Sequence, residues 1–283
     1  MNAFDSRLLT LTVELPTGTV EYSGLSIYAR GRKYDTSIPG ECDVVIYNLN
    51  PTDRNNLLTQ ASPLKIGKNT PVNITLSAGR ESYGTFILYQ GNVTASDVTQ
   101  PPDIGVSLTA QTLLGAMGLV VNHNQSSIAT LKVISQSIAD SLGILLDFQA
   151  VNDKQIDNYS FTGAALKQVE KLNQMGGIKA YIDGNTLIVQ DVGKPRNGQP
   201  VLISANTGMV GVPQLTTLGV AVKLMLNPQI MLGGQVIIDS LINPAANGTY
   251  YVIQIDFEVA NRDTPFWYTL SCLSPSYFPG GTQ

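Results

Sequence analysis

The sequence is poor in charge. Asp, Glu, Lys and Arg together make up 13% of its 283 residues, about half the usual share for a soluble domain. Such a surface is typical of a protein that other proteins cover, or of a β-rich protein with a Thr, Ser and Asn exterior, and composition leaves both interpretations open. The net charge is −4, and the only basic cluster, Arg30–Lys33, fits a solvated hairpin tip better than a phosphate site. Because the sequence has no basic patch, it does not predict binding to nucleic acid.

Cysteine is scarce, and long apolar runs are missing. Cys42 and Cys272 lie far apart in the sequence, which excludes a disulfide framework and predicts free, buried thiols in a protein assembled in the cytoplasm. No apolar run approaches the roughly 20 residues that span a bilayer. The first residues also lack the basic stretch and apolar core of a secretory signal. We therefore expect no membrane insertion.

Residues that carry catalysis are equally scarce. The only histidine, His123, lies in a polar stretch that predicts a solvated loop. No His, Cys and carboxylate cluster has the spacing of a metal site. The phosphate-binding loop, the nucleophile elbow and the zinc-protease motif are all missing. The sequence predicts that the protein is not an enzyme, with no catalytic, cofactor-binding or metal-binding residues and no cofactor.

Two groups of carboxylates are the remaining candidates for chemistry. Asp256 and Glu258 share one face of a predicted strand and lie roughly 7 Å apart by the strand rise, a separation that resembles a glycosidase pair. On the polar side of an amphipathic strand, however, solvated or interface-lining acids are the ordinary case. Asp147, Asp153 and Asp157 flank a loop that lacks the pattern of a cation-binding loop.

Alternating apolar residues predict strands in the last third of the chain, from Val201 to Leu273. Val220–Leu226 alternates until Asn227-Pro228, and Asn247-Gly248 between two further runs predicts a hairpin. Period-two patterning indicates strands with one buried face. In the last run, the residues expected on that face are Tyr251, Ile253, Ile255, Phe257 and Val259.

The first 110 residues show the same alternation and suit a small barrel. One short helix interrupts the pattern, with Asn50 as its N-cap and Pro51 at its first position. The predicted strands contain Leu9–Leu15, Leu25–Ile27, Cys42–Ile46, Val72–Leu76, Phe86–Leu88 and Val106–Leu108.

The middle of the chain has helical spacing instead. A first helix is predicted from Ser127 to Leu142, where Gly143 ends it. Thr162 is the expected cap of a second helix, which Gly176-Gly177 ends. A strand over Ile144–Phe148 lies between the helices, and a hairpin over Ile178–Gln190 turns at Asp183-Gly184-Asn185. The order predicts a compact α+β module, which Gly193–Gly198 links to the last segment.

At 283 residues the chain is near the limit for one core, so two or three domains are expected. We predict a mainly β protein in which an α+β insertion separates two β-barrel domains. The expected boundaries are 1–112 for the first barrel, 113–196 for the α+β domain and 197–283 for the second barrel. The two ends are expected to be structural relatives of each other.

Five motifs of the last third occur in the order found in the baseplate hub proteins of contractile-tailed bacteriophages. They are Ser204–Pro213, Val222–Pro228, Leu232–Val236, Asn247–Val252 and the closing strand that contains Trp267. Tyr159–Leu166 and Ile46–Leu49 also resemble hub patterns, so the resemblance covers most of the chain. These motifs are turn and strand signals rather than an active site. Ala260–Asp263 departs from the pattern, because many relatives have Gly-Asp there.

The resemblance implies a structural role in the tail baseplate of the virion. Hub proteins of this family have two tail-tube-like barrel domains per chain, so that a homotrimer presents six similar barrels in a ring. The ring is expected to join the sixfold tail tube protein to the threefold spike protein, with other baseplate proteins around it. DNA is expected to pass through the lumen without specific binding.

Two other functions remain open from the sequence. One is a β-rich carbohydrate- or receptor-binding tail module, in which Trp267, Tyr250, Tyr251 and Tyr268 would form an exposed aromatic platform. The other is a peptidoglycan-degrading tail enzyme that uses the carboxylates of the last strand pair.

Overall fold

Strands dominate the structure, a computed structural model that describes residues 5–62, 71–116, 118–124, 128–151, 153–196 and 199–278. The expected mainly β fold is confirmed. The α-helices are α1 (Pro51–Gln60), α2 (Leu131–Leu142) and α3 (Ala165–Gln174). The strands are β1 (Arg7–Leu15), β2 (Gly18–Ser23), β3 (Ile27–Tyr34), β4 (Glu41–Tyr47), β5 (Asn73–Arg80), β6 (Gly84–Val98), β7 (Gly105–Gln111), β8 (Val120–Asn124), β9 (Ala129–Thr130), β10 (Leu145–Phe148), β11 (Gln155–Ile156), β12 (Ser160–Ala164), β13 (Ile178–Asp183), β14 (Thr186–Asp191), β15 (Val201–Ser204), β16 (Met209–Leu215), β17 (Gly219–Met225), β18 (Gln235–Asp239), β19 (Gly248–Ala260) and β20 (Phe266–Leu273). Among these helices, none is long and apolar enough to cross a lipid bilayer.

Thirteen strands from both ends of the chain form one long sheet. Its order is β16-β17-β20-β19-β3-β4-β7-β6-β5-β1-β2, with β18 paired to β19 and β15 paired to β18. The two β-rich segments meet where β3 pairs antiparallel with β19. We call this β3–β19 pair the seam. The division of the chain into three domains stays a prediction, and the first and last segments share this sheet.

Two four-strand units of the long sheet have the same strand order. One unit runs β3-β4-β7-β6 and the other β16-β17-β20-β19. Each unit consists of two hairpins, and the second strand of one hairpin pairs with the second strand of the other. The registers of those pairs also agree, because Glu41 lies opposite Gln111 at one end of β4–β7 and Gly219 lies opposite Leu273 at the same end of β17–β20. The seam joins the units end to end.

A β-bulge interrupts the long strand of each unit at the same place. The extra residue is Thr94 in β6 and Ile253 in β19. In each unit, the residues before and after the extra residue lie opposite two successive residues of the following strand. These are the second-last and the third-last residues of that strand in both units. A bulge re-aims the residues beyond it, so its repetition gives the two units the same bend.

The bulge in β19 changes which residues are buried. Tyr251 and Ile253 are half-buried, so their expected placement on the core face is wrong, whereas Ile255, Phe257 and Val259 are buried as expected. Because the strand gains one residue at Ile253, the residues before it that reach the core are Tyr250 and Val252. The carbonyl of Ile253 accepts a hydrogen bond from the Asp35 N–H at 3.0 Å.

One apolar core lies under the long sheet and continues across the seam. Val44 and Leu108 from the first unit belong to the same buried cluster as Phe257 and Leu270 from the second. Strict alternation in the central strands explains this burial, because every second side chain of a strand points to one face. The opposite face is left for polar residues.

Three local predictions for the β-rich segments have different outcomes. Asn50 caps α1 as expected, because its side chain accepts a hydrogen bond from the Asp53 N–H at 2.8 Å. The sequence analysis did not predict β2, an edge strand in which only Tyr22 is buried, although Val20 and Tyr22 alternate with Thr19, Glu21 and Ser23. β18 and β19 pair antiparallel as predicted, but the connection is long, with Ile238 opposite Gly248 instead of a two-residue turn.

The middle segment has a second, smaller core between α2, α3 and the sheet β10-β14-β13. Thr130 caps α2, which begins at Leu131, whereas the predicted start at Ser127 lies outside the described residues. Gly143 ends α2 in the left-handed conformation, as predicted. The predicted cap Thr162 is wrong, because β12 pairs with β8 and holds this residue extended until α3 begins at Ala165.

The β13–β14 hairpin fastens the middle segment to the long sheet. It turns at Gly184-Asn185 as predicted. Tyr181 and Ile188 belong to the large core, whereas Leu187 and Val189 belong to the small one. The predicted linker contacts the last segment. The backbone N–H of Arg196 donates a hydrogen bond to the Gly233 carbonyl at 2.8 Å. Asn197 and Gly198 lie outside the described residues.

Candidate interaction surface on the long sheet

The outer face of β4, β3 and β19 carries two arginines between four acids. Arg30 lies directly opposite Asp43 on β4 and Glu258 on β19, and Arg32 lies opposite Glu41 and Asp256 in the same way. Directly opposed side chains on one face have Cβ atoms about 4.5–5.5 Å apart. We call these six residues the charge ladder. It has two positive and four negative side chains, so this face of β4, β3 and β19 is acidic although it contains two arginines of the basic cluster.

Both arginines contact a carboxylate across the sheet. Arg30 Nε lies 3.3 Å from Asp43 Oδ2, and Arg32 pairs with Asp256. Hydrogen bonds from Arg32 to Tyr34 and Asp256 raise the pKa of the guanidinium. The arginine side chains are 66% and 46% exposed, and exposed pairs contribute at most about 1 kcal/mol each. The ladder therefore sets the charge of this face rather than its stability.

Glu258 is held in place by an aromatic cluster. It accepts hydrogen bonds from Tyr28 Oη at 2.8 Å and from Trp267 Nε1 at 3.2 Å. Burial, together with the hydrogen bond to Glu258, raises the pKa of Tyr28. Lys223 Nζ lies over the Trp267 ring, 3.6 Å from its centre. Trp267 is thus a fixed part of the sheet surface.

An open depression of about 460 Å³ lies over the charge ladder. Thr109, Gln111 and Thr269 extend its polar lining to the neighbouring strands. This depression places hydroxyl, amide and charged groups on one continuous face at the centre of the long sheet.

The structure separates the predicted carboxylate pair into two different environments. Asp256 and Glu258 share the outer face as predicted. Asp256 pairs with Arg32 and accepts a hydrogen bond from Gln254 at 3.0 Å, whereas Glu258 accepts from Tyr28 and Trp267. Each carboxylate is therefore engaged by its own partners, and no partner is shared between the two. The geometry therefore gives no support to a glycosidase.

The basic cluster was placed wrongly by the sequence. Arg30–Lys33 lies in the middle of β3, which pairs on one side with β4 and on the other with β19, and is not a hairpin tip. Alternation within β3 was the available signal, since Ile27 and Ala29 are buried while Arg30 is exposed. Lys33 points away from the charge ladder and pairs with Asp183 at 2.8 Å.

His123 lies in a strand rather than in a loop. It belongs to β8 and lies opposite Phe161 of β12, because the run Val120–Asn124 pairs with the strand before α3. The side chains of Asn122 and Tyr159 line a cavity of about 170 Å³ beside it. Gln125, the last residue of the predicted loop, lies outside the described residues.

Two of the three candidate aspartates of the middle segment, Asp147 and Asp153, have protein partners. Asp147 accepts from Arg196 at 3.2 Å, and Asp153 accepts from the Lys132 N–H at 2.8 Å. Throughout the described ranges, no group of three or more His, Cys, Asp and Glu side chains is arranged to hold a metal ion. Asp157 joins no such group.

The four aromatic residues of the predicted platform are divided between the core and the surface, and both cysteines lie in the core. Tyr250 and Tyr268 are buried, and Trp267 and Tyr251 are half-buried. Because Tyr268 and Trp267 are successive residues of β20, they point to opposite faces, so these side chains do not form one exposed platform. The predicted free, buried thiols, Cys42 and Cys272, are confirmed, and burial raises the pKa of both.

Comparison with known proteins gives one family and a consistent fold. A family described as baseplate hub gp41 matches residues 8–272. The 43 kDa tail protein of prophage MuSo2 from Shewanella oneidensis has a TM-score of 0.67 at 10% identity, over 97% of this chain and 100% of that chain. A tail protein from Neisseria meningitidis MC58 has a TM-score of 0.63 at 8% identity, over 94% of this chain and 96% of that chain.

A secretion-system protein has the same fold. The Escherichia coli c3393 protein is a component of the type VI secretion system with structural similarity to the T4 tail proteins gp27 and gp5. Its TM-score is 0.52 at 10% identity, over 96% of this chain and 74% of that chain. At such identities the likeness shows the fold alone. No curated protein sequence matches this chain significantly.

Proposed function

This chain belongs to the baseplate hub gp41 family, and from that premise we propose that it is the hub subunit of a contractile phage tail. The family is structural, and the chain is not an enzyme. Its place is the tail of the virion. In the proposal, three copies form a pseudo-sixfold ring between the sixfold tail tube protein and the threefold spike protein, with other baseplate proteins around it.

The repeated four-strand unit is the observation that carries this proposal. Two units with the same strand order, register and bulge position follow each other in one sheet. A ring of six similar units therefore needs only three chains. Such a ring presents a near-sixfold surface to the tube, while its true threefold symmetry matches the spike.

The charge ladder supports a channel for DNA. In the proposed ring, the core face of the long sheet points into the protein and the polar face points to the lumen. Each arginine of the ladder has an acid on both sides, well within the Debye length of about 8 Å at physiological salt. Because tight DNA binding requires unmasked cations that neutralise phosphates, this face lets DNA pass without binding it.

Solution mass and reconstitution test the proposal. We expect the purified chain to form trimers at high concentration, and to form rings that bind both the tube protein and the spike protein. A chain that stays monomeric and forms no ring with either partner contradicts the proposed function. Turnover of purified cell wall by the chain would contradict its structural role.

A further inference from the structure

We propose that the middle segment is a docked module, which separates from the long sheet as one unit while the large and the small core both stay folded. The module comprises the described residues within 113–196. The inference is independent of the proposed ring, because it concerns a junction inside one chain. In a baseplate, such a module changes its position without disturbing the two repeated units.

The two cores are almost separate sets of residues. Among the described residues of the middle segment, only Tyr181 and Ile188 belong to the large core, and every residue of the small core lies within the middle segment. These two side chains lie opposite each other on the β13–β14 hairpin. The Tyr181 hydroxyl donates to the Leu232 carbonyl at 2.9 Å, so this face of the hairpin packs on the last segment. Undocking therefore uncovers one small apolar face and leaves the rest of both cores intact.

Two reciprocal ion pairs also hold the junction. The long-sheet side contributes Lys33 and Asp35, and β13 contributes their partners, Asp183 and Lys179. The cost of desolvating two buried charges offsets much of the attraction between them. When the two sides separate, water solvates each charge again. A junction held by ion pairs therefore opens more easily than an apolar junction of the same size.

Arg196 keeps Asp183 paired when the two sides separate. Its guanidinium lies 2.9 Å from the Asp183 carboxylate and 3.2 Å from the Asp147 carboxylate, and both aspartates belong to the middle segment. The loss of Lys33 therefore does not leave Asp183 without a cation. One backbone hydrogen bond, from the Arg196 N–H to the Gly233 carbonyl, crosses the junction at this point and reports whether it is closed.

The chain enters and leaves the middle segment through connections that suit hinges. Leu113, two residues after β7, has a φ of 54°, and Gly193, two residues after β14, has a φ of 75°. Domain motions are absorbed by a few residues in loops or at the ends of elements. The Gly193 carbonyl accepts a hydrogen bond from the Tyr251 hydroxyl at 2.7 Å, which holds the exit connection on the last segment. We assign the hinges to Leu113 and Gly193.

Thiol labelling in the absence of denaturant measures the undocking. In the variant Ile188→Cys the new thiol lies on the docked face, whereas in the matched variant Val189→Cys it lies in the small core, and both positions are 0% exposed. The native Cys42 and Cys272 are buried in the large core and report its unfolding in the same sample. Because local opening is cheaper than global unfolding, the Ile188→Cys thiol should react about tenfold or more faster than the other three.

A charge removed from the junction should favour the open form. Lys179→Met leaves Asp35, which is 4% exposed, buried without its cation, and such a loss is strongly unfavourable. Adding Lys179→Met to Ile188→Cys should therefore speed the labelling of the new thiol about tenfold and leave the labelling of Cys42 unchanged. Lys132→Met, at an exposed lysine of the same segment, is the control and should change neither rate. The exchanged pair Asp35→Lys/Lys179→Asp should restore slow labelling.

Hydrogen exchange of the unsubstituted chain gives an independent measurement. The Arg196 amide, which bonds across the junction, should exchange faster than the amides of both cores. Equal labelling of Ile188→Cys and Val189→Cys, with the Arg196 amide as protected as the core amides, overturns the module and leaves the proposed function intact. Undocking in a chain that forms neither trimers nor rings supports the module and contradicts the proposed function alone.

Discussion

Lys33 Nζ lies 2.8 Å from the Asp183 carboxylate, and this ion pair fastens the middle segment to the long sheet. Arg196 reaches the other oxygen of the same carboxylate at 2.9 Å and also contacts Asp147. Burial alone would raise the pKa of Asp183, but Lys33 and Arg196 outweigh it and lower the pKa to about 2. The junction between the two cores therefore depends on a carboxylate that stays ionised.

We predict that the Asp183 cluster makes the fold acid-sensitive. The pKa of Asp183 is lower in the folded chain than its ordinary value of 3.8, so its contribution is fully present above about pH 4 and is lost as the pH falls toward 2. That contribution is about 2 kcal/mol. Urea unfolding at pH 7, 4 and 2.5 measures it, and the Asp183→Asn variant should lose this part of the pH dependence.

The same substitution should also destabilise the protein at neutral pH. Asp183→Asn leaves Lys33 and Arg196 partly buried without their shared carboxylate, and breaking such a group costs about 3 kcal/mol. Asp103→Asn, at an exposed acid, is the matched control and should change the free energy of unfolding by less than about 0.5 kcal/mol. Equal effects of the two substitutions would show that the cluster does not stabilise the junction.

The seam should not tolerate a side chain at Gly31. A Cβ at this position would lie 2.3 Å from Phe257 Cζ and 2.5 Å from the Glu41 carbonyl oxygen. Overpacking of this kind costs about 1–3 kcal/mol, so Gly31→Ala should lower the thermal midpoint. Gly118→Ala is the control, because a Cβ there meets no atom within 4 Å and the residue does not have a positive φ. A Gly31→Ala variant as stable as Gly118→Ala would contradict the close approach of Phe257.

The charge ladder should prevent DNA binding through its acids. The variant Glu41→Gln/Asp43→Asn/Asp256→Asn leaves Arg30 and Arg32 beside one remaining ladder acid, Glu258. It should bind duplex DNA about tenfold more tightly than the wild type at low salt, with an affinity that falls as salt rises. Fluorescence anisotropy with labelled DNA measures both quantities.

A matched variant separates this masking from total charge. Glu21→Gln/Asp103→Asn/Asp239→Asn changes the net charge equally, from −4 to −1, at exposed acids outside the ladder, and should bind DNA no better than the wild type. Adding Arg30→Gln and Arg32→Gln to the ladder variant should abolish the gain. Equal DNA binding by both triple variants would mean that net charge, not the ladder, governs the contact.

Local patterns predicted the elements of this fold, whereas long-range pairing stayed hidden. The alternation in Val220–Leu226 and the Asn50-Pro51 start of α1 are properties of adjacent residues, so the sequence revealed them. The seam joins residues more than 200 positions apart, such as Arg30 and Glu258, and no local signal reports such a pair. The bulge at Ile253 shifted the buried face by one residue, which strict alternation cannot anticipate.

The sequence predicts which charged residues share a strand face, but not how the strands of the candidate surface are arranged. Glu41 with Asp43, and Asp256 with Glu258, show the two-residue spacing of one strand face, and Arg30 with Arg32 shows it as well. What the sequence lacks is the order in which these strands lie. Only that order places the arginines between the acids, so that the carboxylates mask the positive charge of the basic cluster.

The symmetry of the assembled particle tests the central claim most directly. Electron microscopy of the chain reconstituted with its tube and spike proteins should show a ring of three copies, in which six similar β units surround an open channel and the charge ladder lines the lumen. A ring with another number of copies, or a threefold ring in which the two four-strand units of each chain occupy unrelated positions, would contradict the account.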